Sequence, residues 1–160
     1  MLTDQGHSFH HYISDVTTSF PVNGKYTEKQ AQIYNIVLAA SRAVFSKAGP
    51  GVEWPEMHKL AERVVLQGLV DLGLLTGDVA EMQEKRIGFI FMPHGLGHLV
   101  GLDVHDVGGY LPHTPKRNPL PGLKNLRFAR PLEPGMVFTI EPGCYFRDFL
   151  IEGQMPSDFY

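Results

Sequence analysis

Glycine and proline residues divide this sequence into short segments, and that division constrains the fold more than any other feature. Turn-forming residues lie at 21–25 and 49–51, and Pro142 and Gly143 follow a later apolar run. Four prolines lie within Leu111–Arg130, which we therefore predict to be a long loop. Each remaining segment suits a single helix or strand, and 160 residues is the length of one compact domain.

Residues 1–20 are predicted to form a hairpin of two strands. Residues 2–4 precede a run at 8–20 that is rich in tyrosine, isoleucine, valine and threonine, which are residue types that favour strands. Gly6 lies between the two runs and marks the expected turn.

Three helices are predicted to follow the hairpin. Thr27 and Gln30 have the spacing of a capping box, so the first helix begins there and ends at 49–51. The second helix opens near Pro55 and stops at Gly73. A short third helix is expected at 78–85, with Asp78 as its cap.

Two apolar runs, Ile87–Met92 and Met136–Glu141, are predicted to be strands, and a glycine- and histidine-rich segment follows the first. The order strand, strand, three helices, strand, loop, strand predicts a mixed α+β fold in which the strands are largely antiparallel.

Composition argues against a nucleic-acid-binding, membrane-spanning or secreted protein and favours a cytoplasmic one. With 14 Lys and Arg against 17 Asp and Glu, the net charge of −3 argues against a nucleic-acid-binding protein. No apolar run is long enough to span a membrane, and the N-terminal residues do not resemble a signal peptide. A lone cysteine, Cys144, cannot form an internal disulfide, which predicts a reducing, cytoplasmic location.

Candidate metal ligands occur in three parts of the chain. They are Asp4 and Asp15 in the hairpin, His94, His98 and His105 in the glycine-rich segment, and Glu141 at the end of an apolar run. Each also has a structural interpretation. Asp4 taken alone is better explained as a turn residue. A lone histidine is more often structural, and Glu141 could simply end a strand. Three histidines among glycines, which let the backbone approach a ligand closely, favour a site.

Two aspartates, a histidine and a glutamate are an oxygen-rich set that suits manganese better than structural zinc. Carboxylates can bridge two ions roughly 3.5–4 Å apart, and such a pair activates water for hydrolysis. The long loop is basic, and we expect Lys116, Arg117 and Lys124 to be solvated. Arg127, which approaches the strand of Glu141, can instead bind a substrate carboxylate through two parallel hydrogen bonds.

Four motifs together resemble the prolidases, the Xaa-Pro dipeptidases of the pita-bread metallopeptidases (peptidase family M24). The motifs are Ser-Asp-Val-Thr-Thr-Ser-Phe-Pro (14–21), Met-Pro-His-Gly-Leu-Gly-His (92–98), Gly-Leu-Asp-Val-His-Asp-Val-Gly-Gly-Tyr (101–110) and Thr-Ile-Glu-Pro-Gly (139–143). The resemblance extends in order over essentially the whole chain. It implies a pita-bread fold, with helices on one side of a mixed, largely antiparallel sheet.

The resemblance also implies roles for individual residues. Asp4, Asp15, His98 and Glu141 match four of five ligands of two divalent ions, usually manganese. His94 and His105 are expected beside the substrate, with His105 steadying the tetrahedral intermediate. Arg127 matches an arginine that binds the C-terminal carboxylate of a dipeptide ending in proline or hydroxyproline, which favours a dipeptidase over an aminopeptidase.

The fifth family ligand, a bridging glutamate, has no match in this sequence. We therefore expect residues 1–160 to be a partial catalytic domain, truncated at both ends and inactive in isolation. Alternatives are a non-catalytic pita-bread homologue that binds metal or a partner, an Xaa-Pro aminopeptidase, and a mononuclear metal oxygenase. Relatives of this kind commonly form homodimers, so we expect the full-length protein to do so.

Overall fold

A computed structural model describes residues 1–159. Its elements, in chain order, are β1 (Leu2–Gln5), β2 (Ser8–Phe9), β3 (Tyr12–Ile13), β4 (Val16–Ser19), α1 (Glu28–Lys47), α2 (Trp54–Asp71), α3 (Val79–Glu84), α4 (Gly88–Phe91) and α5 (Asp148–Gln154). Short 3₁₀ helices lie at Leu123–Asn125 and Ser157–Phe159. The predicted α+β class is confirmed, and every strand pair is antiparallel among the residues described.

The N-terminal hairpin is present, but its turn is not where the sequence predicts it. Strand β1 pairs with β4, β2 pairs with β3, and the chain reverses at His10 and His11, both of which have left-handed backbone angles. Gly6 serves a different purpose. A Cβ atom at this position would collide with the carbonyl of Ser14 on the opposite arm, so only glycine permits this close approach.

The predicted capping box at the start of α1 is confirmed. The Thr27 hydroxyl accepts a hydrogen bond from the backbone of Gln30, and the Gln30 side chain accepts one from the backbone of Thr27. The apolar face of α1 is only partly covered, since Ala40 and Val44 are its buried residues.

Helices α2 and α3 also begin and end as the sequence predicts. Pro55 lies in the first turn of α2, and Gly73 follows the helix with a φ of 69°, a left-handed conformation typical of a helix stop. Asp78 caps α3 by accepting a hydrogen bond from the backbone of Glu81 at 2.9 Å.

Two strand predictions in the second half of the chain need correction. Ile87–Met92 is not a strand, since residues 88–91 form the helical turn α4. A short apolar run fits a buried helix as well as a buried strand, and only packing decides between them. Met136–Glu141 forms no regular strand, although it is joined to the glycine-rich segment by the bridge between Phe138 and Leu99 and by backbone bonds such as that from Thr139 to the carbonyl of His98 at 2.9 Å. Helix α5 was not expected.

The hydrophobic core lies around α2, which packs against α1, α3 and α4. Trp54, at the start of α2, is fully buried and stacks on Phe128 with ring centroids 4.9 Å apart. It also meets the ring of Phe138 edge-on. Trp54 therefore anchors both the end of the long loop and the extended segment that leads to Glu141. No helix within residues 1–159 is long and apolar enough to cross a membrane.

Candidate metal centre

Backbone hydrogen bonds place three segments side by side to form the floor of the site. The N–H of Ile13 in the hairpin donates to the carbonyl of Gly101 at 2.8 Å, and the N–H of Val100 donates to Val137 at 3.1 Å. The bridge between Leu99 and Phe138 lies next to the second of these bonds. The hairpin, the glycine-rich segment and the segment before Glu141 therefore present their side chains to one region.

Three of the four predicted metal ligands converge in this region. Ligand atoms of Asp15, His98 and Glu141 all lie within 4.8 Å of one another. Nε2 of His98 lies 3.1 Å from a carboxylate oxygen of Asp15 and 3.1 Å from one of Glu141. His98 is buried, whereas the two carboxylates are partly exposed, so the cluster opens on one side.

The arrangement around His98 fits a metal ligand. Its Nδ1 lies 2.9 Å from the carbonyl oxygen of Leu99, and a carbonyl can only accept, so Nδ1 carries the proton of the neutral ring. Nε2, which faces both carboxylates, is therefore unprotonated, and its lone pair is available to a metal ion. One imidazole nitrogen and carboxylate oxygens form a suitable donor set for a borderline or hard divalent ion.

Thr139 connects two of these ligands, and it was not among the predicted site residues. Its hydroxyl accepts a hydrogen bond from the backbone N–H of His98 at 3.0 Å and donates one to Oε1 of Glu141 at 2.6 Å. The sequence signals were its place at the start of the Thr-Ile-Glu-Pro-Gly motif and its position two residues before Glu141, on the same face of an extended segment.

The fourth predicted ligand, Asp4, is not part of this cluster. It lies on β1 directly opposite Thr17 of β4. Alternation along an extended chain places Asp15 on the same face of the hairpin as Thr17, and therefore as Asp4. Both aspartates line one continuous cleft of about 2500 Å³.

All three predicted substrate-side residues, His94, His105 and Arg127, line the same cleft. The ring of His105 meets that of His98 edge-on, with centroids 4.4 Å apart. Burial lowers the pKa of His105, and the positive charge of the Arg127 guanidinium lowers it further, whereas the carboxylates of Glu141 and Asp15 act in the opposite direction. This environment favours the neutral form of His105.

His94 lies at another part of the cleft and has one free ring nitrogen. Its Nδ1 contacts the carbonyl of Gly95 at 2.8 Å, whereas its buried Nε2 has no hydrogen-bond partner among the residues described. The ring packs edge-on against Tyr145. Cys144 is half-buried, and burial raises the pKa of its thiol to about 12, as expected for a packing residue.

Known proteins match this chain over most of its length. The model of metallopeptidase family M24 matches residues 1–155. Xaa-Pro dipeptidases from Mus musculus and Homo sapiens are 54% and 52% identical to it over 151 residues. Those residues are 94% of this chain but 30% of each relative, so the chain spans under a third of the length of these relatives.

Solved structures of two bacterial aminopeptidases are also similar. Zinc-substituted Escherichia coli aminopeptidase P in complex with product has a TM-score of 0.77 and is 41% identical, covering 91% of this chain and 30% of its own. Pseudomonas aeruginosa aminopeptidase PepP has a TM-score of 0.78 and is 41% identical, covering 92% and 30% respectively. These likenesses confirm the pita-bread fold that the motifs imply.

Proposed function

The chain belongs to metallopeptidase family M24, and we propose that it forms much of the catalytic domain of an Xaa-Pro dipeptidase, acting on dipeptides that end in proline or hydroxyproline. The observation that carries this proposal is the convergence of Asp15, His98 and Glu141 in the cleft that also holds His105 and Arg127. The mammalian relatives that are more than half identical are named Xaa-Pro dipeptidases.

The proposal assigns metal binding to the three clustered residues. Asp15, His98 and Glu141 would hold one divalent ion, and Asp4, on the same face of the hairpin, would help to hold a second. The oxygen-rich donor set favours manganese. Such ions would polarise the scissile carbonyl and lower the pKa of a water molecule.

The remaining site residues would bind and orient the dipeptide. Arg127 would bind the C-terminal carboxylate through two parallel hydrogen bonds, which selects substrates with a carboxylate directly after proline. Neutral His105 would donate a hydrogen bond to the oxygen of the tetrahedral intermediate. His94, which also lines the cleft, would contact the substrate from its own side.

Binding measurements test the proposal without depending on turnover. Calorimetric titration with Mn²⁺ should show binding that His98→Ala abolishes and that His113→Ala, at an exposed histidine of the long loop, leaves intact. The dipeptide Gly-Pro should then bind the manganese-loaded chain. Arg127→Met should weaken this binding, whereas the control substitution Arg42→Met on α1 should not. Unchanged manganese binding by the His98 variant would refute the assigned centre.

Hydrolysis assays separate the proposal from its alternatives. Because only four of the five family ligands have a match here, we expect the chain of residues 1–160 to bind metal and dipeptide with little turnover. A full-length form should hydrolyse Gly-Pro faster than a tripeptide with proline in second position. The reverse preference would indicate an Xaa-Pro aminopeptidase, the activity named for the similar bacterial structures. Tight binding without turnover by the full-length form would indicate a non-catalytic homologue.

Metal stoichiometry distinguishes a further alternative. Two ions per chain exclude the mononuclear oxygenase, whereas one ion that Asp4→Asn does not affect would remove Asp4 from the site. Two further expectations remain predictions. They are a cytoplasmic location, based on the lone Cys144, and homodimer formation by the full-length protein.

A further inference from the structure

A buried cluster of charged and titratable side chains lies outside the metal centre. His58 and Glu62, one turn apart on α2, are 0% and 1% exposed. Nε2 of His58 lies 3.1 Å from Oε1 of Glu62, and Nη2 of Arg86 donates to the same oxygen at 2.7 Å. A buried carboxylate is costly unless it is paired, so this cluster requires a reason for its presence.

The cluster lies where three parts of the chain meet. Helix α4 packs against Glu62 so closely that a Cβ atom at Gly88 would lie 2.9 Å from the Glu62 side chain. Nε of Arg86 donates to the carbonyl of Pro121 in the long loop at 3.0 Å. Gly122, with a φ of 80°, covers the cluster, and a Cβ atom there would lie 3.0 Å from Oε1 of Glu62.

Two of these parts lead directly to proposed substrate-binding residues. Helix α4 ends two residues before Pro93, which precedes His94. Gly122 is followed by the 3₁₀ helix Leu123–Asn125 and then by Arg127. These two segments also contact each other directly, because the side chain of Asn125 donates a hydrogen bond to the carbonyl of Pro93 at 2.6 Å.

We propose that Glu62 is a positioning residue for substrate binding: held between His58 and Arg86, it fixes the segment that carries Arg127 relative to the one that carries His94. An apolar cluster could fill the same space at less cost. It could not, however, orient the Arg86 guanidinium, whose separate nitrogens bond the carboxylate and the loop carbonyl at once. The proposal depends on the proposed function only for the roles of Arg127 and His94.

Hydrogen exchange tests the positioning directly and needs no activity. Arg86→Lys keeps the positive charge but loses the guanidinium that donates to two acceptors at once. In this variant the backbone amides at 109–128 should exchange about tenfold faster, while those of α1 and α2 stay protected. Glu56→Gln is the matched control, since Glu56 forms an exposed pair with Lys59 on the same helix. Unchanged exchange at 109–128 in the Arg86 variant would overturn the proposal.

A glycine pair provides a second test that removes no charge. Gly122→Ala would introduce both backbone strain and a collision with the cluster, whereas Gly135→Ala, with a φ of 87° and open space around it, would introduce strain alone. We expect faster exchange at 109–128 in the first variant only. Equal effects of the two substitutions would contradict contact with the cluster as the cause.

Ligand affinities separate positioning from a general loss of stability. Arg86→Lys should weaken Gly-Pro binding several-fold and leave manganese affinity unchanged, whereas a merely structural defect would weaken both. In an Arg127→Met background the Arg86 substitution should have no further effect on Gly-Pro affinity. If Gly-Pro fails to bind the unsubstituted chain, the proposed function fails, but the exchange experiments still decide whether the cluster fixes the loop.

Discussion

The N-terminal hairpin and the helical region around α2 are stabilised in different ways. No residue at 1–20 is buried, whereas eight of the 18 residues of α2 are. Phe9 of the hairpin is 70% exposed, and Trp54 of α2 is fully buried. The helical region is therefore held by hydrophobic burial, which scales with the apolar area removed from water.

The hairpin is held to the rest of the molecule mainly by polar contacts. These include the bond from Ile13 to Gly101, a bond from the Tyr26 hydroxyl to the carbonyl of Ser19, and the contact between Asp15 and His98. Because Asp15 comes from the hairpin while His98 comes from the region packed against the helices, the candidate metal centre joins the two regions. Metal binding should therefore order the hairpin more than the helices.

The largest expected effect is in the helical region. Trp54→Ala should lower the free energy of unfolding by about 3–5 kcal/mol, since it removes a buried aromatic ring that packs on Phe128 and Phe138. Urea denaturation followed by circular dichroism measures this. A loss below about 1 kcal/mol would show that burial around α2 does not dominate stability.

The second-largest effect on the free energy of unfolding is expected from metal binding, which should stabilise the hairpin more than the helices. At 100 times its dissociation constant, Mn²⁺ should raise the free energy of unfolding by about 2.7 kcal/mol. It should also slow amide exchange at 1–20 more than in α2. Asp15→Asn should remove both effects, whereas Asp71→Asn, at an exposed carboxylate ending α2, should remove neither. Equal slowing in the two regions would mean that the metal does not join them.

Loss of the Thr139 hydroxyl should have a somewhat smaller effect. Thr139→Val should weaken manganese binding about 10- to 100-fold, because the hydroxyl that orients Glu141 and holds the backbone of His98 is lost. Thr139→Ser keeps the hydroxyl and should bind nearly as tightly as the unsubstituted chain. Isothermal titration of all three proteins decides the matter, and equal loss in the serine and valine variants would point to packing instead.

The smallest effect is expected on the exposed side of the hairpin. Phe9→Ala should change the free energy of unfolding by less than about 0.5 kcal/mol, although it removes an aromatic ring as Trp54→Ala does. The same urea series measures both variants. A cost above about 2 kcal/mol would place Phe9 in a packed contact and remove the contrast between the two regions.

Several features of the fold could be predicted because they depend on residues close in sequence. The capping box of Thr27 and Gln30, the Asp78 cap and the Gly73 stop each involve a few neighbouring positions, and all are present. Candidate ligands could be chosen by chemical type, since carboxylates and histidines among glycines suit a metal site. Family motifs then indicated which of them to group.

Other features could not be predicted, because they depend on contacts between distant segments. The helical turn at 88–91 forms where the chain packs against Glu62, and a short apolar run does not reveal this. The functions of Thr139 and Glu62 likewise depend on distant partners, since the Thr139 hydroxyl accepts a hydrogen bond from the backbone of His98 and Glu62 accepts one from Arg86.

The sequence by itself determined the α+β class, the ends of α1, α2 and α3 and the chemical types at the site, because local backbone preference and side-chain chemistry belong to each residue and its neighbours. Tertiary structure decided that Asp15, His98 and Glu141 converge while Asp4 stays outside the cluster. It also placed a charged group at Glu62 in the core. Distances of a few ångströms between remote residues are set by how helices and loops pack, and packing is a property of the whole folded chain.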